Sequence, residues 1–224
     1  MKIIYLGHAG FGISLDGVSI VVDPFISKNP SSRLGLADVP RADIVAVTHS
    51  HFDHFGDAAE IAKRDGACFV AVYDTVEIAE REGVQRTEAM NVGGSCIVKG
   101  IKIDCVPALH TGNPCGFVFS GRDGRVYHAG DTGLFGDMRL IGEICRPDVA
   151  MLPIGGRFTM GPEEAAIATG LIRPKAVIPM HYNTFEAIRQ DPYRFAALVK
   201  QRADAEVIIM KEGESVEIGG RIHG

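Results

Sequence analysis

The hydrophobic positions of the chain fall into short apolar runs separated by polar turns and by segments with helical spacing. Runs of a few apolar residues bounded by charge or glycine are typical of β-strands. The predicted strands are 2–6, 18–23, 44–48, 68–71, 101–107, 116–120, 126–129, 148–153 and 176–179. Strands therefore dominate the first two-thirds of the chain, and the first of them runs into a turn at LGHAGFG.

Other segments show the spacing of amphipathic helices, and they are 56–64, 74–82, 162–171 and 191–202. Asp74 and Asp191 are predicted to be N-caps. Pro162 and Pro192 stand at helix starts, where proline is favoured. Because these helices separate pairs of strands, the order of elements predicts packed layers of sheet and helix, an α/β (α+β) fold class.

Further segments are predicted to be turns or loops. GRDGR at 121–125 and EGES at 212–215 are expected hairpin connections, and the second would join strands at 206–210 and 215–218 into a closing hairpin. The segment 27–40 is rich in Pro, Ser and Gly and is predicted to be a mobile loop or lid.

Composition indicates one globular unit. With 224 residues, of which 46% are hydrophobic and 23% charged, the chain can bury a large core, and a single domain over 1–224 is expected. Its apolar stretches are far shorter than the roughly 20 residues of a membrane-spanning helix. The N-terminus lacks the long apolar region of a secretion signal. We therefore expect a cytoplasmic protein that does not cross a membrane.

Charge and cysteine content narrow the choice of partners. A net charge of −5 without a run of Lys or Arg argues against a long nucleic acid, which needs a basic stripe to neutralise its phosphates. A small-molecule substrate is favoured instead. The five cysteines are odd in number and lack a C-x-x-C pair, so neither a disulfide framework nor a thiolate zinc site is indicated. They are interpreted as small buried hydrophobes.

The strongest chemical signal is THSHFDH, which follows the apolar run at 44–48. It contains His49, His51, Asp53 and His54. Side chains two apart at a strand end point the same way, so His49 and His51 can bind one cation while the turn that follows directs the other two side chains towards a second cation. One segment is therefore predicted to supply ligands to two metal ions.

Two metals need more ligands, and further candidates lie where other apolar runs end. They are His110 in ALHTG, Asp131 in AGDTG and His181 in PMHYN. Loops at strand ends concentrate catalytic groups, because a rigid scaffold aims them into a shared cleft. The sequence therefore predicts that four segments converge on one metal centre. Taken singly, each histidine has a plainer interpretation as a core residue, and the aspartate as a turn former.

THSHFDH, LHTG, GDTG and PMHYN, in this order, resemble the metallo-β-lactamase superfamily over nearly the whole chain. LGHAGFGISLDG with VVDPF, and later PIGGRFTMGPEEA, resemble its UPF0173 branch of metal-dependent hydrolases, related to the ascorbate-phosphate lactonases. The resemblance implies a four-layer αβ/βα sandwich with the metal site at the edge between two β-sheets. It also implies a first metal held by His49, His51 and His110, a second held by Asp53, His54 and His181, and a bridging Asp131.

This ligand set predicts a hydrolytic centre. Two divalent ions, two carboxylates and a hydroxide leave a net charge of about +1, which favours an anionic or carbonyl oxygen of the substrate. Water between two cations is acidified from a pKa of about 15.7 to roughly 7, so the predicted reaction is attack by a bridging hydroxide on an ester, lactone or phosphodiester. Asp53 is the candidate for orienting the water or relaying its proton, and Asp53 and His181 are the predicted catalytic residues.

Residues outside the ligand set are also predicted to contact the substrate, and they are His8, Arg157 and Asn183. Each has a plainer alternative as a residue that only shapes or decorates its turn. Asp23 in VVDPF is either a buried turn anchor or a carboxylate that orients a metal ligand. His128 is predicted to lie in the core or beside a ligand, and His223 to be exposed.

Alternative functions and metals stay open at this stage. Five histidines and two carboxylates suit zinc, while Mn, Fe, Co and Ni fit the same donors. A purely structural metal site is the main alternative for the cluster, although such sites close their coordination shells and favour thiolates. A metal-dependent sensor would bind without turnover, and a nuclease of the same fold would need a basic channel that a pI of 5.9 does not indicate. The natural substrate and homo-oligomer formation also stay open.

Overall fold

The computed structural model describes residues 1–219, whose strands form two seven-stranded β-sheets. The first sheet contains β1 (Lys2–Gly7), β2 (Gly10–Leu15), β3 (Val18–Val22), β4 (Ile44–Ala46), β5 (Cys68–Val72), β6 (Thr87–Met90) and β14 (Ser215–Glu217). The second contains β7 (Ser95–Val98), β8 (Ile101–Pro107), β9 (Cys115–Ser120), β10 (Arg125–His128), β11 (Val149–Pro153), β12 (Ala176–Met180) and β13 (Glu206–Val207). The α-helices are α1 (Phe52–Phe55), α2 (Ala58–Asp65), α3 (Tyr73–Arg81), α4 (Met138–Cys145), α5 (Pro162–Ile172) and α6 (Pro192–Arg202).

Both sheets are antiparallel at one end and parallel at the other. Their strand orders are β14-β1-β2-β3-β4-β5-β6 and β13-β12-β11-β10-β9-β8-β7. The strands β3 to β6 run parallel, as do β10 to β13. Parallel strands need long crossover connections, and helices α1 to α6 lie in these crossovers. Parallel strands also end at a common edge, where the connecting loops can meet.

The first sheet is buried on both faces. In β4, Ile44 and Ala46 belong to the larger core shared with the second sheet, whereas Val45 packs in a separate cluster with Ile61 of α2 and Ala79 of α3. This alternation follows from the two-residue repeat of a strand. The larger core also contains residues of α4, α5 and α6. The mixed α/β fold with two sheets is therefore confirmed, and the layers are those that the resemblance implies.

The predicted closing hairpin is wrong. Glu206–Val207 pairs in parallel with β12, whereas Ser215–Glu217 pairs antiparallel with β1. The two segments therefore belong to different sheets, and the turn at 212–215 connects the sheets instead of closing a hairpin. The hairpin at GRDGR is confirmed, because Gly121 N–H donates to the carbonyl of Gly124 at 3.0 Å between β9 and β10.

The helix caps are partly as predicted. Asp191 accepts a hydrogen bond from Tyr193 N–H at 2.9 Å and caps α6. Asp74 is not an N-cap, since β5 runs directly into α3 and the N-cap is Val72. The sequence prediction also missed β2, β6, β7, α1 and α4. Of these, β6 and β7 are the last strands of their sheets, where half-exposed positions weaken the apolar pattern.

The segment 27–40 is anchored to a distant part of the chain. It contains a short 3-10 turn at Leu36–Asp38, and Glu212 accepts hydrogen bonds from the Ser32 hydroxyl at 2.5 Å and from Arg33 N–H at 2.8 Å. All five cysteines are free thiols. Within residues 1–219, no helix is both long and apolar enough to span a bilayer. His223 lies outside the described residues.

Candidate metal centre

The predicted ligands lie on four loops that follow strands of both sheets. The loop after β4 carries His49 and His51 and leads into α1, which contains Asp53 and His54. His110 follows β8, Asp131 follows β10 and His181 directly follows β12. The structure brings all seven predicted ligands together at one edge of the two packed sheets.

A glycine allows the Asp131 loop to approach the His49 loop. Gly130 has a φ of +61°, in the left-handed region that favours glycine. A Cβ atom at this position would lie 2.7 Å from the carbonyl oxygen of Cys115 and 2.8 Å from the Thr48 side chain. The AGDTG sequence therefore does more than form a turn, because it brings two ligand loops into contact.

His49, His51 and His110 form the first group of ligands. Nε2 of His49 lies 3.1 Å from Nδ1 of His51, and Nε2 of His110 lies 3.3 Å from the same atom. One ring nitrogen of each lies within 4.8 Å of the others, so the three can hold a metal ion. Burial and the neighbouring His54 lower the pKa of His49 to about 2, which keeps its ring in the neutral form that binds metals.

Asp53, His54 and His181 form the second group, together with His8. Ligand atoms of these four residues lie within 4.8 Å of one another, and Nε2 of His181 is 3.8 Å from Oδ2 of Asp53. The sequence predicts three of the four as ligands of the second metal. The presence of His8 in this group was not predicted.

Asp131 lies between the two groups. Its carboxylate oxygens are 3.2 Å from Nε2 of His54, 3.1 Å from Nε2 of His181 and 3.4 Å from Nε2 of His110. The rings of His54 and His181 belong to the second group, and the ring of His110 belongs to the first group. A carboxylate in this position can contact ions in both groups, as the predicted bridging role requires.

The electrostatics of the centre fit a cation. Buried atoms here lack a hydrogen bond to any described residue, among them Nε2 of His54 and Oδ1 of Asp131, which face each other at 3.2 Å. Burial disfavours a charged His54, but Asp131 and Asp23 outweigh it and raise the pKa of His54 well above its ordinary value. Burial also raises the pKa of Asp131, but His54 and His181 outweigh burial and hold this pKa well below its ordinary value. A positive charge between these carboxylates is therefore favoured, and a divalent ion satisfies the facing atoms.

Asp23 orients His54 from behind. Its Oδ2 accepts hydrogen bonds from Nδ1 of His54 at 2.7 Å and from the Thr48 hydroxyl at 2.6 Å, and its Oδ1 accepts from Thr48 N–H at 2.8 Å. Because an ionised carboxylate only accepts, Nδ1 of His54 carries the proton and Nε2 is left to face Asp131. Of the two interpretations of Asp23, these contacts favour the carboxylate that orients a ligand.

Asp23→Ala is expected to weaken metal binding by about 10–100-fold, the usual cost of losing the partner of a ligating histidine. It should also lower the free energy of unfolding by about 3–5 kcal/mol, because His54 and Thr48 lose a buried acceptor. Competition with a chromophoric chelator measures the first effect, and urea unfolding measures the second. Asp204→Ala, at an exposed aspartate, is the matched control. Unchanged metal affinity in Asp23→Ala would show that other contacts orient His54.

His8 is buried behind Asp53. Its Nε2 lies 3.2 Å from Oδ2 of Asp53 and its Nδ1 2.8 Å from the hydroxyl of Thr184. Since the carboxylate must accept, Nε2 donates and Nδ1 accepts from Thr184. Burial lowers the pKa of His8 to about 4 despite the opposing hydrogen bond with Asp53, so the ring is neutral. His8 in this position orients the Asp53 carboxylate. Its predicted contact with the substrate stays a prediction.

The other two predicted substrate contacts, Arg157 and Asn183, are exposed. The Arg157 guanidinium lies 5.7 Å from the centre of the Phe158 ring. Asn183 has a left-handed backbone with a φ of 60°, as do His8 at 55° and His181 at 54°. Such backbone costs free energy in residues other than glycine and concentrates at functional sites.

Two threonines hold side chains of the centre in place, and this role was not predicted for either of them. Thr48 directly precedes His49 and binds the carboxylate described above, while Thr184 holds the ring of the buried histidine. Their proximity in sequence to His49 and His181 is the signal that would have found them. His128 is confirmed as a core residue, because it is buried and its Nε2 lies 2.8 Å from the carbonyl oxygen of Ala9.

Known proteins are similar in sequence to this chain over almost its entire length. The profile of the beta-lactamase superfamily domain matches residues 2–181. The UPF0173 metal-dependent hydrolase of Methanopyrus kandleri is 50% identical, over 97% of this chain and 100% of its own length. That of Thermofilum pendens is also 50% identical, over 95% of this chain and 97% of its own length.

Solved structures share the fold. Igni18, a metallo hydrolase from the hyperthermophilic archaeon Ignicoccus hospitalis, has a TM-score of 0.90 at 42% identity and covers 96% of this chain and 97% of its own. An isothiocyanate hydrolase from Delia radicum gut bacteria has a TM-score of 0.82 over 99% of this chain and 100% of its own, and its 16% identity shows the fold alone. The chain therefore belongs to the beta-lactamase superfamily and, within it, to the UPF0173 metal-dependent hydrolases.

Proposed function

We propose that this metal-dependent hydrolase uses two divalent ions to cleave an ester, lactone or phosphodiester bond of a small anionic substrate. The observation that carries the proposal is the grouping of five imidazoles with the carboxylates of Asp53 and Asp131. The cluster is open on one side, since the side chains of His110 and Asp53 are 11% and 15% exposed. Structural sites favour a closed shell with thiolates, and this donor set contains none.

The residues are proposed to divide between the two ions as the resemblance implies, and the distances within each group support this division. His49, His51 and His110 would hold one ion, the set Asp53, His54 and His181 would hold the other, and Asp131 would contact both. When bound, the ions would supply a bridging hydroxide as nucleophile and positive charge for the oxygens that become negative during the reaction. Zinc suits these donors best, and Mn, Fe, Co and Ni also fit them.

Asp53 is the residue proposed to orient the water or relay its proton. Burial raises the pKa of its carboxyl, but the hydrogen bond from His8 and the nearby His54 outweigh burial and hold the pKa below its ordinary value. The carboxylate is therefore ionised at neutral pH and can accept a hydrogen bond from a water molecule, which would orient that water. His8 fixes one of its oxygens, which restricts the carboxylate to one orientation. His181, the second proposed catalytic residue, contacts Asp131 at 3.1 Å.

The test is metal content by elemental analysis, paired with hydrolysis of bis-p-nitrophenyl phosphate and of a lactone panel before and after chelation. We expect about two metals per chain and turnover that chelation removes and zinc restores. Two metals without turnover of any substrate would instead support a metal-dependent sensor. No bound metal after reconstitution would contradict both functions.

A further inference from the structure

Large apolar side chains stand exposed beside the metal centre, on two segments that carry candidate ligands and on the loop after β11, which is hydrogen-bonded to the Asp131 loop. Phe52 is 68% exposed, Leu109 57% and Phe158 56%. Phe52 lies between His51 and Asp53 in sequence, and Leu109 directly precedes His110. Single exposed apolar side chains are normal on a protein surface, whereas several of them on neighbouring loops mark a candidate binding site.

The loops that carry these side chains are hydrogen-bonded to one another. Ser50 N–H donates to the carbonyl of Gly112 at 3.2 Å, which joins the Phe52 loop to the Leu109 loop. Leu109 N–H donates to the Thr132 hydroxyl at 3.0 Å. Met160 N–H donates to the Thr132 carbonyl at 2.9 Å, which joins the Phe158 loop to the same residue. The three apolar side chains therefore lie on neighbouring loops around Asp131, and we name them the apolar rim.

Aromatic side chains pack behind Phe52, between the rim and the interior. Phe52 packs edge-on against the buried Phe25, with 5.7 Å between ring centres, and Phe25 lies 6.5 Å from Phe185. Both inner rings contact His8, at 5.7 Å and 5.8 Å. Packed apolar rings therefore connect the exposed Phe52 to the buried histidine that contacts Asp53.

The rim side chains together expose a large apolar area. A fully buried aromatic side chain removes about 150–250 Å² from water, so three large apolar side chains that are each more than half exposed leave on the order of 300 Å² in total for contact with a substrate. Each methylene that moves from water onto such a surface improves binding by up to about fourfold.

We propose that the apolar rim binds an aliphatic or aromatic acyl group, so that the substrate is an ester or lactone with an apolar acyl part. This inference rests on the proposed hydrolase function. In the reaction the acyl carbon gains the oxygen of water, its bond to the leaving oxygen breaks, and the leaving oxygen takes a proton. Arg157, beside Phe158, presents a cation at the rim for an anionic group of the same substrate.

The test uses p-nitrophenyl acetate, butyrate, hexanoate and octanoate with zinc-reconstituted protein. We expect kcat/KM to rise about two- to fourfold per methylene, and to become nearly independent of chain length in the triple variant Phe52→Ala, Leu109→Ala, Phe158→Ala. The control variant is Ile97→Ala, Tyr193→Ala, whose side chains are each 72% exposed but lie outside the three segments that carry the rim. The control should keep the chain-length dependence. A flat series in the unmodified protein would overturn the proposal.

A second measurement separates this proposal from the proposed function. Calorimetry compares acetate and octanoate as ligands of the zinc-loaded protein. If no ester is hydrolysed but octanoate binds more tightly than acetate, and the triple variant loses this preference, the hydrolase proposal fails and the apolar rim stands. Equal binding of both carboxylates would overturn the rim. So would a triple variant that converts an oligomer into a monomer by light scattering and leaves the ester series unchanged, because the rim would then be an interface between copies.

Discussion

Asp131→Ala is expected to reduce hydrolysis by more than about 100-fold, because losing only an outer partner of a ligand already costs about 10–100-fold. Asp131 lies within 3.4 Å of rings in both ligand groups, so its loss should affect both proposed ions. Asp131→Asn keeps the volume and removes the charge, and we expect nearly the same loss. The measurement is kcat/KM together with metal content per chain.

The controls separate the metal centre from general damage to the fold. His51→Ala should reproduce the loss, since Nδ1 of His51 lies 3.1 Å from Nε2 of His49 and 3.3 Å from Nε2 of His110. Cys105→Ala changes a buried residue outside the ligand groups and should leave turnover nearly intact. Circular dichroism checks that each variant is folded. If Asp131→Ala kept full activity and two metals, the bridging assignment would be wrong.

The convergence of the seven candidate ligands was predictable from sequence because the information for it is local. THSHFDH places several ligands in one window, and His110, Asp131 and His181 each follow an apolar run that becomes a strand. Parallel strands end at a common edge, so residues after them converge without any knowledge of side-chain packing. The fold class was predictable for the same reason, since strand and helix periodicities are local signals.

The missed features depend on contacts between residues that are far apart in sequence. Glu206–Val207 joins β12 and Ser215–Glu217 joins β1, and no local pattern states which sheet a short strand completes. His8 is hydrogen-bonded to Thr184, which is 176 residues away in the sequence. Neither the burial of His8 nor its contact with Asp53 could therefore be predicted from LGHAGF. The exposure of Phe52 could not be predicted either, because sequence patterns assign apolar residues to the core.

Removing the metals is expected to lower the melting temperature by about 10 °C or more. A ligand present at about 1,000 times its dissociation constant stabilises the folded state by about 4 kcal/mol, and 1 kcal/mol shifts the melting temperature of a domain of this size by about 2–4 °C. The effect arises because the folded chain gathers the ligand loops, whereas the unfolded chain holds them apart. Differential scanning fluorimetry of metal-depleted and zinc-reconstituted protein measures it.

Asp131→Ala provides the decisive comparison for this shift. Without the carboxylate between the two groups, zinc should raise the melting temperature by only a fraction of the shift in the unmodified protein. Cys105→Ala should show the full shift, and a chelator already saturated with zinc should leave the unmodified protein unchanged. If depletion left the melting temperature of the unmodified protein the same, the facing atoms of His54 and Asp131 would not be a tight metal site. The raised pKa of His54, which burial opposes and Asp131 and Asp23 cause, would then reflect a proton held between two carboxylates.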